Sequence, residues 1–215
     1  MTTTVEVRQV RVGGGQLPGE LVWAPQAAGL VIFAHGSGSS RRSPRNRLVA
    51  DIMHGYRLGT LLFDLLTEAE AAERRNTFDI PLLCTRLTDA LEWARDELGP
   101  VRIGLFGAST GAAAALCAAA EQPASVWAVV SRGGRPDLAA QRLPRVLAPT
   151  LMIVGGLDVD VLSLNRHAMR SMRCQTRLEV VPGATHLFEE PGAIESVAHL
   201  AGSWFETHLR NRMSA

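Results

Sequence analysis

The chain contains no lysine: all 22 of its basic residues are arginine. That absence excludes a Schiff-base lysine, a serine–lysine dyad and the phosphate-binding lysine of a P-loop, and several enzyme classes go with them. Cysteine is sparse, with Cys84, Cys117 and Cys174 widely separated in apolar or helical surroundings. Such a set is neither a disulfide framework nor a metal-ligand cluster. Three small core residues in a reducing compartment, and no metal, are the expectation. No segment offers about 18 uninterrupted apolar residues, which excludes a membrane-spanning helix. Residues 1–8 lack a basic region followed by an apolar run, so no secretory signal is read there and the cytoplasm is the expected location. A Gly-x-Gly-x-x-Gly dinucleotide fingerprint, internal repeats and low-complexity linkers are missing too. The net charge of +1 provides no global attraction to nucleic acid or to anionic membrane.

What is present is a chain of 215 residues, 47% hydrophobic and 20% charged, read as a single globular domain over 1–215. Short apolar runs alternate with helical patterns, as in a mostly parallel sheet covered on both faces. Strands are expected at Val5–Val12, Leu17–Trp23, Leu30–Ala34, Thr60–Asp64, Val101–Phe106, Val126–Ser131, Thr150–Val154 and Arg177–Val181. The first two flank Gly13-Gly14-Gly15 and are expected to form an antiparallel hairpin at the sheet edge. Helices are expected near 45–54, 79–98, 109–121, 160–172 and 192–210. In the second of these, Ile80, Leu83, Leu87, Ala90, Leu91, Ala94 and Leu98 form one apolar stripe, with Asp79 as N-cap and Pro81 in the first turn. The charged stretch Glu68–Arg75 reads as a solvated connection.

The densest signal is Gly107-Ala108-Ser109-Thr110-Gly111, between an apolar strand and the small-residue helix Ala112–Ala120. Small residues on both sides allow a tight strand-to-helix turn that lifts the serine hydroxyl clear of the sheet, above the positive end of the helix. This is a nucleophile elbow. A serine nucleophile needs a base, and the base needs a carboxylate to orient it. In folds built this way the acid and the histidine follow the serine in that chain order. Asp158 follows the strand Thr150–Val154 and a glycine turn, and His186 follows the last strand. Asp158 could instead be a helix N-cap, with Asp160 as the acid. Asp158 is preferred because it lies nearer the strand end, where ligands gather in open sheets. Of the six histidines, only His186 occupies a loop after the last strand. Two backbone N–H groups should form the oxyanion hole: Thr110, after the nucleophile, and Ser37, in the loop His35–Ser40. That loop could alternatively cradle phosphate at a helix start. The lack of lysine and of a magnesium-site pattern weighs against it.

On these residues the chain resembles the α/β-hydrolase superfamily, and within it the dienelactone-hydrolase-like group. The likeness runs from His35-Gly36-Ser37-Gly38 through Gly107–Gly111 and Asp158 to Gly183–Phe188. It implies an eight-stranded sheet and a Ser109–Asp158–His186 triad working without a cofactor, on an ester, lactone or thioester of a small molecule. Acyl transfer or ligand binding without catalysis on the same fold are the alternatives. Dienelactone hydrolases carry cysteine as nucleophile, where this chain has serine, so the resemblance supports fold and triad placement better than it supports substrate. No long insertion follows the sixth strand, so the lid is expected to be minimal.

Two arginine groups flank the expected mouth: Arg41, Arg42, Arg45 and Arg47, and then Arg132 and Arg135. Arg42 and Arg132 are the candidates for binding an anionic substrate group, since guanidinium forks match carboxylate and phosphate. The plainer expectation is that these arginines tie loops down through Asp137, Glu189 or backbone carbonyls.

Overall fold

The computed structural model describes residues 6–210. Val5, with which the first expected strand begins, lies outside them. The strands are β1 (Glu6–Val12), β2 (Leu17–Trp23), β3 (Gly29–Ala34), β4 (Leu58–Phe63), β5 (Ile103–Ala108), β6 (Val126–Arg132), β7 (Thr150–Gly155) and β8 (Thr176–Val181). They form one sheet in the order β1-β2-β4-β3-β5-β6-β7-β8. The β1–β2 hairpin is antiparallel, β2 joins β4 antiparallel, and every later pairing is parallel. The strands β3, β4, β5 and β7 are buried throughout, which is why their sequences are nearly continuous in apolar residues.

The helices are α1 (Pro44–His54), α2 (Glu68–Ala72), α3 (Ile80–Leu98), α4 (Thr110–Glu121), α5 (Val159–Met169) and α6 (Ala193–Leu209). The apolar faces of α3 and α4 pack into one core cluster on one side of the sheet, and α1 and α6 into a second cluster on the other. Asp79 caps α3 by accepting the Leu82 N–H at 3.0 Å. Pro81 stands in the first turn, where its missing N–H costs nothing. Every residue of α4 from Thr110 to Ala120 is buried. Its alanines keep the helix surface flat, so the backbone lies directly on the sheet.

Two expectations are corrected. Glu68–Arg75 is not a plain solvated connection: Glu68–Ala72 is helical, closed at its start by a reciprocal capping box between Thr67 and Glu70. Arg86 of α3 then pairs with Glu70 at 2.7 Å and fixes the segment. The three cysteines are not all apart either. Packing of α3 on α4 brings Cys84 and Cys117 together beside Glu121, because two helices on one face of the sheet become neighbours whatever the length of chain between them. No helix among the described residues is long and apolar enough to cross a membrane.

Chain direction reverses between β3 and β5: one leads outward to β4, the other to β6. Ligand sites form at such a switch, at the carboxyl ends of the strands. The loops after β3, β5, β6, β7 and β8 all emerge there.

Candidate active site

The turn after β5 is sharp enough to hold Ser109 at φ 51°, ψ −118°, a conformation that strains any residue with a side chain. Its neighbours explain how it persists. A Cβ on Gly107 would stand 2.4 Å from Ala112 Cα, and one on Gly111 would stand 2.2 Å from the Ala34 carbonyl oxygen. Both glycines are therefore required by backbone packing against α4 and against the end of β3. The backbone of Ser109 is held on both sides: its N–H donates to the Arg132 carbonyl, and its carbonyl accepts from Arg135 N–H, each at 3.1 Å.

The three residues expected to act together lie together. His186 Nε2 is 3.4 Å from Ser109 Oγ, and His186 Nδ1 is 2.6 Å from Asp158 Oδ2. Asp158 does occupy the N-cap position of α5, yet its side chain caps no helical N–H. Its carboxylate is turned to the imidazole, while Asp160 is exposed in the first turn of the helix. The loops carrying Asp158 and His186 touch closely: a Cβ on Gly155 would meet the Ala184 carbonyl oxygen at 2.4 Å. The short Nδ1 contact fixes the ring so that Nε2 faces the hydroxyl. The serine–imidazole distance is at the loose end of hydrogen bonding, as is common without substrate. A hydroxyl, an imidazole and a carboxylate so linked can deliver an alkoxide to a carbonyl carbon.

The two expected oxyanion donors are placed differently. Thr110 is the first residue of α4, so its N–H has no partner within the helix and lies at the positive helix end. Ser37 N–H instead donates to the Thr110 hydroxyl at 3.0 Å. The loop is held by His35, whose Nε2 accepts Leu65 N–H at 3.1 Å while Nδ1 donates to the Gly36 carbonyl at 3.0 Å. This bonding requires the neutral ring, and desolvation lowers its pKa accordingly.

Two cavities flank the loop. One, of about 330 Å³, is largely apolar and is walled by Leu65, Leu66, Ala71, Leu83 and Thr110. The other, of about 240 Å³, holds Ser109 and His186 together with Ser39, Ser43, Arg45 and Arg132. Of the flanking arginines, Arg41 pairs with Asp64, Arg45 with Glu189, Arg47 with Glu20 and Arg135 with Asp137. These follow the plainer expectation. Arg42 is exposed and lines neither cavity.

Arg132 differs from all of them. It is only 8% exposed, its Nε is buried without a hydrogen-bond partner, and its guanidinium meets no carboxylate among the described residues. Its nearest charged influence is repulsive: burial, reinforced by Arg45, pushes its pKa down to about 10. The Phe188 ring lies 5.7 Å below it. Ser39 and Ser43 line the same cavity but were not singled out from sequence, and Arg45, named there only as one of a flanking group, lines it too. The Ser43-Pro44 helix start was the available signal, since it fixes which way the next turn faces.

An elbow serine at the switch point of an eight-stranded sheet, with this histidine and carboxylate after the last two strands, defines an α/β-hydrolase. Within that class the chain belongs to the dienelactone hydrolase family, whose profile matches residues 67–208. A crystal structure of a dienelactone hydrolase from Anabaena variabilis is 50% identical, covers 98% of this chain and all of its own, and superposes with a TM-score of 0.91. Est1E from Butyrivibrio proteoclasticus shares the fold at 12% identity (TM-score 0.77), covering 95% of this chain and 98% of its own. Proteins from two Mycobacterium tuberculosis strains, provisionally named phosphoribosyl transferases, are 54% identical over 205 residues. That match covers 94% of this chain but 46% of theirs, so the chain spans about half the length of those relatives.

Proposed function

We propose that this hydrolase cleaves a carboxylic ester, lactone or thioester of a small molecule through an acyl-enzyme on Ser109. The observation that carries the reading is the chain Ser109–His186–Asp158, closed at 3.4 and 2.6 Å on a strained elbow. His186 Nε2 takes the hydroxyl proton as Oγ attacks the carbonyl carbon, and Asp158 holds the Nδ1 proton and stabilises the imidazolium. Thr110 N–H receives the developing oxyanion. Ser37 N–H joins it by giving up its bond to the Thr110 hydroxyl. His186 then protonates the leaving group, and a water deprotonated by the same nitrogen releases the acid and restores Ser109.

In this reading the substrate has two unlike ends. Its apolar part enters the cavity walled by Leu65, Leu66 and Leu83. An anionic group, carboxylate or phosphate, lies on Arg132, whose buried charge has no other counter-ion among the described residues. An uncompensated buried charge costs several kcal/mol, and a substrate anion relieves it. Arg42 takes no part. An acyltransferase or thioesterase would use the same groups, differing only in the acceptor or the leaving group. Phosphoribosyl transfer, the activity in the name of the longer M. tuberculosis proteins, draws no support from groups arranged for acyl transfer.

The test is labelling with a fluorophosphonate alongside hydrolysis of short p-nitrophenyl esters by wild type and Ser109→Ala. Loss of labelling and a fall in turnover on the order of 10⁶ are expected in the variant. Folded wild-type protein that neither labels nor turns over would leave a binding role as the better reading.

A further inference from the structure

A second cluster of reactive side chains lies away from the cleft, where α3 packs on α4. Cys84 comes from α3, and Cys117 and Glu121 come from successive turns of α4. Cys84 Sγ stands 3.6 Å from Glu121 Oε2 and Cys117 Sγ 3.9 Å from Glu121 Oε1. One donor atom from each of the three residues fits within a 4.8 Å spread. Both thiols are buried, at 2% and 4% exposure, whereas Glu121 reaches the surface and is held there by Arg142 at 3.0 Å.

Thiols aimed at a carboxylate are more than apolar filling. A tetrahedral Zn²⁺, with Zn–S near 2.3 Å and Zn–O near 2.0 Å, sets its ligand atoms roughly 3.5–3.8 Å apart. The observed separations, each sulfur to a different oxygen of the carboxylate, lie within about 0.4 Å of the sulfur–oxygen value, so a small turn of the Glu121 carboxylate completes the fit. A disulfide would need the two sulfurs at about 2.05 Å and would give Glu121 no part. We infer that Cys84, Cys117 and Glu121 form a site for a thiophilic divalent cation, Zn²⁺ by ligand type, that clasps α3 to α4.

Binding exchanges two thiol protons for the cation. Each sulfur forms a metal bond as its S–H bond breaks, two protons pass to solvent, and one coordination position is left for water. Two thiolates and a carboxylate around a divalent ion leave one net negative charge, which Arg142 balances. Cys117 lies eight residues along α4 from Ser109, roughly 12 Å at 1.5 Å per residue, so the clasp braces the helix behind the elbow without entering the cleft.

The experiment is titration of the reduced, metal-free full chain with Cd²⁺, following thiolate-to-metal charge transfer in the ultraviolet, proton release and thermal midpoint. Wild type and Cys174→Ala are expected to bind one equivalent, release about two protons and melt higher. Cys84→Ala and Cys117→Ala should lose the band, Glu121→Gln should weaken binding at least tenfold, and Zn²⁺ in large excess should compete with Cd²⁺ for the site. No band in reduced wild type, a band that survives in the Cys84→Ala/Cys117→Ala double variant, or one lost in Cys174→Ala overturns the site. Should a cysteine variant not fold, Glu121→Gln still decides, because its side chain is at the surface: unchanged affinity there overturns the assignment.

Discussion

The hydroxyl of Thr110 accepts the backbone N–H of Ser37 at 3.0 Å. One residue after Ser109 thus joins the two loops from which the oxyanion donors are expected, and its hydroxyl occupies one of those donors. A neutral hydrogen bond of this kind contributes about 1 kcal/mol. Thr110→Val should therefore lower kcat on a p-nitrophenyl ester by no more than about tenfold, and Thr110→Ser should restore it. A loss of 10²–10³, the cost of removing a true oxyanion donor, would mean that the hydroxyl itself contacts the oxyanion.

Asp158 and Asp160 stand two residues apart, yet only Asp158 reaches the imidazole. Asp158→Asn preserves size while favouring the wrong ring tautomer, and kcat should fall on the order of 10⁴. Asp160→Asn should stay within a factor of about three of wild type, since an exposed first-turn carboxylate contributes only a fraction of a kcal/mol to its helix. Steady-state kinetics on the same ester separates the two, and equal effects would remove Asp158 from the proposed role.

Arg132 should divide activity from stability. Arg132→Met removes a buried charge that has no counter-ion, so the chemical denaturation midpoint should rise, by about 1–3 kcal/mol of stability. The same variant should lose a 10- to 100-fold kcat/KM preference for an ester bearing an anionic group over its neutral analogue, on the order of one charged hydrogen bond. Burial lowers its pKa only to about 10, so Arg132 stays charged across the assay range and the anion preference should hold steady from pH 7 to 9. Wild type with no preference between the two esters would sink the anionic-end assignment.

His35 makes the loop sensitive to acid. Its pKa in the folded chain is lowered from 6.5, as are those of His54 and His208, all chiefly by desolvation. In each case the unfolded chain takes up the proton first as pH falls. Stability is thus complete above about 6.5 and declines as pH drops below it. Protonation of His35 would also abolish the acceptor for Leu65 N–H. Urea midpoints at pH 5.5 and 7.5 should show the decline. His35→Gln, which can still donate and accept, should flatten it; an unchanged slope in that variant would place the sensitivity in the other two histidines.

Much of this protein was legible in its residues. The buried strands read as strands because two-sided burial makes them nearly continuous in Val, Ile, Leu and Phe. Their ends shifted by no more than two residues, the largest at β4, which begins at Leu58 and not Thr60, and at β5, which begins at Ile103 and not Val101. The elbow, Asp158 and His186 could be picked out because each belongs to a local pattern of strand, turn and polar residue. The helix at Glu68 was missed although Thr67 and Glu70 carry a capping-box spacing, because five residues are too few for an apolar periodicity. The predicted helix over 160–172 ends at Met169, although Met172 beyond its end is still buried in the core.

The order of chemistry along the chain, from glycine-flanked serine to carboxylate to histidine, was settled by sequence alone, because short-range sterics and burial period are written locally. Only the tertiary structure decided which buried arginine goes without a carboxylate, which hydroxyl takes the Ser37 N–H and which two cysteines meet. These depend on distances between side chains remote in sequence. Arg132 and Arg135 look alike in a row of letters, but Arg135 leans on Asp137 two residues away, while Arg132 is enclosed at the end of β6. Charge pairing and thiol proximity are properties of packing, and packing is not periodic.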